Sequence, residues 1–146
     1  MSGSGVPDAI KVVVVDDSEL VAASLVRVLR DEPGVDVVAV AHSEGQALDV
    51  AGSQEVDVVV MDYRLGESDG IEVAERFMRA RPGARVLILT GDIGDGYMRT
   101  RARAAGCAAI VAKTSDVHGS LAETVRRVHE GSMTLQIPTE GARPPT

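Results

Sequence analysis

A length of 146 residues with 45% hydrophobic content suits a single domain with an ordinary buried core. One Phe, two Tyr and no Trp argue against an aromatic stacking platform or an aromatic ligand cage. The formal charge of −7, from 15 basic against 22 acidic residues, argues against autonomous binding of nucleic acid, whose phosphates are held by clustered Lys and Arg.

Residues 1–9 read as a disordered N-terminal tail, and Met1-Ser2-Gly3-Ser4-Gly5 lacks the basic-then-apolar order of a leader. No later apolar run approaches the ~20 residues that cross a bilayer. Residues 10–15 read as a strand whose apolar, β-branched run is continuous after Lys11, the pattern of a strand covered on both faces. Ser18 caps a helix with Val21, Leu25, Val28 and Leu29 on one face, and Asp31-Glu32-Pro33-Gly34 stops it. The alternation repeats with a strand over 35–41, a short helix over 43–51 and a buried strand over 56–61. A loop over 62–69 precedes a helix with the stripe Ile71, Ala74, Phe77 and Met78, which Arg81-Pro82-Gly83 ends. Strand 85–89, a weakly apolar helix over 99–105, strand 108–112 and a helix buried through Val117, Leu121, Val125 and Val128 complete the series.

Five βα units thus fill residues 10–130. Strands that alternate with helices pair in parallel through right-handed crossovers, so the expected fold is α/β, a doubly wound five-stranded parallel sheet of flavodoxin-like (βα)5 type with strand order 2-1-3-4-5. Residues 131–146 carry few apolar side chains and several prolines, and read as a linker or C-terminal tail. The lone Cys107 makes no internal disulfide and reads as a small buried hydrophobe, in keeping with a reducing, cytoplasmic location.

Chemistry concentrates where the strands stop. Asp16-Asp17 follows the first strand, Asp62 the third, Thr90 the fourth and Lys113 the fifth. An acidic pair before a helix serves equally well as a cap that complements the helix dipole, and a threonine or lysine at a strand end is common. The combination says more. Two adjacent central strands would crowd three carboxylates together, which costs free energy unless a cation sits among them. Hard oxygen ligands without His or Cys suit Mg²⁺, or Mn²⁺ in its place, and not zinc. Lys113 leaves a net charge of −2 that a divalent ion cancels, and Thr90 adds a neutral donor for phosphoryl oxygens.

In this order, the segments Val-Val-Val-Val-Asp-Asp-Ser (12–18), Val-Val-Val-Met-Asp-Tyr-Arg-Leu (58–65) with Asp69-Gly70, Leu-Ile-Leu-Thr-Gly (87–91) and Ala105-Gly106 leading to Lys113 resemble the receiver domain of two-component response regulators. The resemblance covers about residues 10–130, and leans softly towards receivers attached to LuxR-type DNA-binding domains. It implies Asp62 as phosphoacceptor, Asp17 as a direct metal ligand with Asp16 acting through water, and the Arg64 carbonyl in the metal shell. It further implies that Thr90 and Lys113 bind phosphoryl oxygens. The donor it implies is a phosphohistidine on a sensor histidine kinase, with homodimerisation on phosphorylation and a surface of fourth helix, fifth strand and fifth helix that switches. Such a chain is an acceptor that dephosphorylates itself and not a turnover enzyme, and DNA binding would need an output domain beyond these residues.

Several positions depart from the family pattern. Ile110 occupies the place of a frequent aromatic switch residue, and Thr114 and Gly66 replace frequent prolines. None of these removes a reacting group. Arg64 and Asp92 fall where attacking water passes in family members and are expected to tune the lifetime of the phosphorylated state. Arg99, Arg101 and Arg103 either decorate the switching surface or form a solvated basic face. His42, His118 and His129 read as surface or helix-end residues outside the site. A haloacid-dehalogenase-type phosphatase would need Asp-x-Asp on the first strand, and a flavin or nucleotide module would need a glycine-rich loop where Asp-Asp-Ser-Glu stands. A stand-alone receiver, or a pseudo-receiver that signals by docking alone, shares all these residues.

Overall fold

The computed structural model describes residues 8–91, 96–114 and 117–131. In chain order these form β1 (Ile10–Val15), α1 (Glu19–Arg30), β2 (Val35–Ala41), α2 (Glu44–Ser53), β3 (Val58–Asp62), β4 (Arg64–Leu65) and β5 (Ser68–Asp69). Then come α3 (Gly70–Ala80), β6 (Arg85–Thr90), α4 (Tyr97–Ala105), β7 (Ala109–Ala112) and α5 (Val117–Glu130). The expected tails, apart from residues 8, 9 and 131, lie outside the described residues, as do Asp92 and the rest of 92–95.

Five strands form one sheet in the order β2-β1-β3-β6-β7, and every neighbouring pair is parallel. Counting these five alone, this is the expected 2-1-3-4-5. Val12, Val13 and Val14 of β1 and Val58, Val59 and Val60 of β3 are fully buried, because successive side chains point to opposite faces and both faces are covered. Val13, Val15, Val59, Met61, Phe77 and Ile110 pack in one core layer with α2, α3 and α4. Val12, Val14, Val60, Leu25, Leu29 and Leu121 pack in the other with α1 and α5.

The helices begin and end for local reasons. The hydroxyl of Ser18 accepts the Val21 N–H at 3.2 Å and that of Ser43 the Gln46 N–H at 3.2 Å, each meeting a donor left free in the first turn. Gly106 ends α4 at φ +92°, a left-handed conformation that glycine adopts without steric cost.

The structure also corrects the sequence reading in places. The α1 stripe is Ala22, Leu25, Val26 and Leu29, with Val21 and Val28 only half-buried. Strand β3 starts at Val58 and runs through Asp62, placing the acid on the strand itself. Within the expected loop 62–69, β4 and β5 form a small antiparallel hairpin that pairs Arg64 with Asp69 and Leu65 with Ser68. Gly66 turns that hairpin at φ +63°.

Candidate functional site

Sheet register brings the polar strand ends together. Val15 is level with Met61, so Asp16 and Asp62 follow side by side at the ends of β1 and β3. Asp62 is level with Leu89 and Thr90 with Ala112, which sets Thr90 and then Lys113 one step further along the same edge. Asp17, Asp62, Tyr63, Arg64, Gly66, Thr90, Gly91, Met98 and Lys113 line one open cleft. Asp16 lies beneath it at 1% exposure.

Carboxylate oxygens of Asp16, Asp17 and Asp62 lie within 4.8 Å of one another. Asp16 and Asp62 are buried, whereas Asp17 is exposed at the rim. One oxygen of Asp16 takes the Ser18 N–H at 2.9 Å, and Oδ2 of Asp17 takes the Gly66 N–H at 3.0 Å. Lys113 Nζ reaches Asp62 Oδ1 at 3.0 Å and Asp16 Oδ2 at 3.4 Å.

The electrostatics of the pocket follow from these distances. Burial raises the Asp62 carboxyl above its ordinary value, and the Asp16 charge adds to the rise; the Lys113 ammonium and the Arg64 backbone N–H oppose it without cancelling it. Burial works against the Lys113 ammonium as well, but its hydrogen bond to Asp62 and the two carboxylate charges win, so its pKa stands above the ordinary lysine value. The three acids carry more negative charge than one ammonium offsets. Hard oxygen atoms so close together fit a small divalent cation that retains several waters, and among the described residues no nitrogen or sulfur ligand joins the cluster.

Asp16, Asp17, Asp62, Thr90 and Lys113, the residues singled out by sequence, thus converge on one place. Arg64 joins them, exposed at the cleft wall. Thr90 is 3% exposed. Two residues read as peripheral are tied in. His42 donates from Nδ1 to the Asp16 carbonyl oxygen at 2.9 Å, bracing the end of β1 from β2. Arg101, read as one of three surface arginines, turns inward: it forms an ion pair with Asp69 at 2.8 Å and donates to the Tyr63 hydroxyl at 3.2 Å. Arg99 and Arg103 are exposed. His118 meets the Ser24 hydroxyl at 2.9 Å, joining α5 to α1 away from the pocket.

The backbone around Asp62 is equally constrained. The Tyr63 N–H donates to Leu89 O at 2.8 Å and the Gly70 N–H to Tyr63 O at 2.6 Å. Asp69 Oδ1 caps α3 by accepting the N–H groups of Ile71 at 2.8 Å and Glu72 at 3.3 Å. The cap was legible as Asp69-Gly70 ahead of an apolar stripe, a helix-start signal. Tyr63 carried no comparable signal.

With this fold and pocket established, the chain belongs to the response regulator receiver domain family, whose model matches residues 12–126. It is 37% identical over 127 residues to the DNA-binding transcriptional activator DevR/DosR of Mycobacterium tuberculosis, over 86% of this chain and 57% of that protein. A two-component response regulator of the LuxR family from Aurantimonas sp. superposes with a TM-score of 0.80 at 28% identity, over 90% of this chain and 91% of that one. A response regulator from Burkholderia pseudomallei, solved with a phosphorylated aspartic acid, a calcium ion and citrate, gives a TM-score of 0.70 at 26% identity, over 84% and 69% of the two chains. This chain spans just over half the length of the curated relatives it matches, at 56% of the GacA regulator of Pseudomonas aeruginosa and 57% of DevR/DosR. Among the described residues no helix is long and apolar enough to cross a membrane.

Proposed function

We propose that Asp62 accepts a phosphoryl group from the phosphohistidine of a sensor histidine kinase, and that residues 10–130 are the unit that does so. The observation that carries this reading is the Asp62 carboxylate, buried at the cleft floor, 3.0 Å from Lys113 Nζ and grouped with Asp16 and Asp17. The phosphorylated aspartate and cation in the Burkholderia pseudomallei relative support it.

Asp16, Asp17, Asp62 and the Arg64 carbonyl would hold Mg²⁺, or Mn²⁺. When bound, the ion offsets repulsion between an anionic nucleophile and an anionic donor. An ionised Asp62 oxygen attacks phosphorus in line; the phosphorus–nitrogen bond to the donor imidazole breaks, and that nitrogen leaves with the bonding pair and takes up a proton. Lys113 stays charged and draws a phosphoryl oxygen as it now draws Asp62 Oδ1, while the Thr90 hydroxyl donates to a second. Water later attacks the acyl phosphate, at a rate that Arg64 and Asp92 tune. One phosphoryl group is taken up per chain, so the protein acts as a stoichiometric switch and not as a turnover enzyme. Its setting is the cytoplasm. Its output is control of transcription through a LuxR-type DNA-binding domain, with phosphorylation favouring a homodimer.

Incubation with Mg²⁺ and acetyl phosphate followed by intact mass measurement tests the acceptor. The expected result is one added phosphoryl group in the wild type and none in Asp62→Asn or without Mg²⁺. An unmodified wild type would leave a docking module and overturn the reading.

A further inference from the structure

We propose that Arg101 is a positioning residue that couples the state of the acidic pocket to helix α4 by gripping both ends of the β4–β5 hairpin. The proposal rests on the acceptor reading above and extends it to how occupancy is relayed.

The connections form one unbroken chain. At the pocket end, the Gly66 N–H at the hairpin turn holds Asp17 Oδ2 at 3.0 Å, and Arg64 on the hairpin's first strand lines the same cleft as Asp62. The hairpin is narrow, with two residues on each side, so its turn and its base move together. At the base, one Arg101 nitrogen donates to Tyr63 Oη at 3.2 Å and another pairs with Asp69 Oδ2 at 2.8 Å. Tyr63 directly follows Asp62, and the other oxygen of Asp69 caps α3. A planar guanidinium satisfies two such acceptors in only a narrow range of orientations. If the hairpin shifts as the pocket fills, α4 must follow or lose one of the two bonds.

Helix α4 is also poorly held by other means. Among its nine residues only Ala102 is fully buried, and its N-cap, Gly96, supplies no side-chain cap bond. An element with so little buried apolar surface sits near the low end of local stability, where a charged hydrogen-bonded anchor has leverage. Arg101 is only 23% exposed, and its pair with Asp69 is correspondingly shielded from water. The Tyr97 ring, 5.9 Å from the guanidinium carbon, covers it from within α4 itself. Ile110 is fully buried in the core and offers no polar atom to sense the pocket. The Arg101 fork supplies such a group from a different element.

Coupling is reciprocal: if pocket occupancy biases α4, loosening α4 must weaken the pocket's hold on a cation by the same factor. The test compares wild type with Arg101→Gln, Tyr63→Phe and the double variant. Calorimetric Mg²⁺ titration gives affinity, and amide hydrogen exchange of residues 97–105, with and without Mg²⁺, reads the helix.

In the wild type, Mg²⁺ is expected to slow exchange in α4. In Arg101→Gln that response is expected to vanish and Mg²⁺ to bind about tenfold more weakly, the usual loss when an outer-shell partner goes. Tyr63→Phe removes one hydroxyl and keeps the ring, so it should fold and show a smaller loss in the same direction. The double variant should be no weaker than Arg101→Gln, because both changes break one linkage. The proposal is overturned if Mg²⁺ binds the wild type without altering α4 exchange, or if Arg101→Gln keeps both the affinity and the response. Absence of Mg²⁺ binding and of any acetyl phosphate adduct in the wild type would instead bring down the acceptor reading, and this proposal with it.

Discussion

Gly70 faces Asp62 so closely that a Cβ at position 70 would penetrate the Asp62 carbonyl oxygen and lie 2.9 Å from the Tyr63 Cα. Both neighbours are backbone, so neither swings aside as a flexible side chain would. The first turn of α3 and the end of β3 are therefore fixed relative to each other by the absence of a side chain.

Gly70→Ala must separate α3 from β3 and carry Asp62 with it. Overpacking against backbone costs about 2–3 kcal/mol, which should appear as a lower midpoint in urea. Acetyl phosphate labelling should slow in the fraction that remains folded. An unchanged midpoint would mean that the two segments yield more easily than their contacts imply.

Removing the Asp62 charge should stabilise the metal-free protein. Because the carboxyl is raised on folding, its contribution to stability is fully present below its unfolded pKa and is lost as pH rises through the folded value. At pH 7 the ionised acid therefore opposes folding. Asp62→Asn should melt above the wild type in a chelating buffer at neutral pH, with the gap closing as the pH falls through the acid range. Mg²⁺ should narrow the neutral-pH gap by stabilising the wild type more, since ligands that bind only the native state raise its stability. Calorimetric scans over a pH series, with and without Mg²⁺, would check both.

Lys113 neutralises the carboxylates that the cation also needs. Its ammonium sits 3.0 Å from Asp62 and 3.4 Å from Asp16. Lys113→Met should bind Mg²⁺ about tenfold more tightly, on the scale of one charge repelling a divalent ion a few ångströms away in a water-like medium. The same variant should lose acetyl phosphate labelling, because a phosphoryl oxygen has lost its counter-charge. Tighter metal binding together with lost labelling would separate the two roles.

Cys107 should be chemically quiet. It is buried at 6% exposure, and burial, with the Glu75 and Asp69 charges, pushes its thiol up to about 12. Iodoacetamide should leave the native protein nearly unmodified at pH 8 and label it promptly once urea unfolds it. Rapid native labelling, read by mass, would contradict the packing around it.

The central strands were legible because burial on both faces turns a strand into an unbroken β-branched run, such as 12–15 or 58–60. The meeting of Asp16, Asp17, Asp62, Thr90 and Lys113 was legible for the same reason: a parallel sheet aligns its strand ends. The hairpin at 64–69 was not, since two residues per strand are too few to show alternation. Arg101 was hidden as well. Helical period tells which face looks inward, but whether a charge on that face finds Asp69 depends on a segment that is distant in sequence. The bond from the His42 ring to the Asp16 carbonyl was hidden too, because backbone acceptors leave no mark in residue type.

With no tryptophan in the chain, emission excited in the tyrosine band comes from Tyr63 and Tyr97. One of these phenols lends its hydroxyl to the Arg101 guanidinium, and the other lays its ring beside it. The molecule thus carries an optical gauge on either side of that joint. Its quenching and recovery can be followed in the unlabelled protein, on the timescale of the chemistry itself.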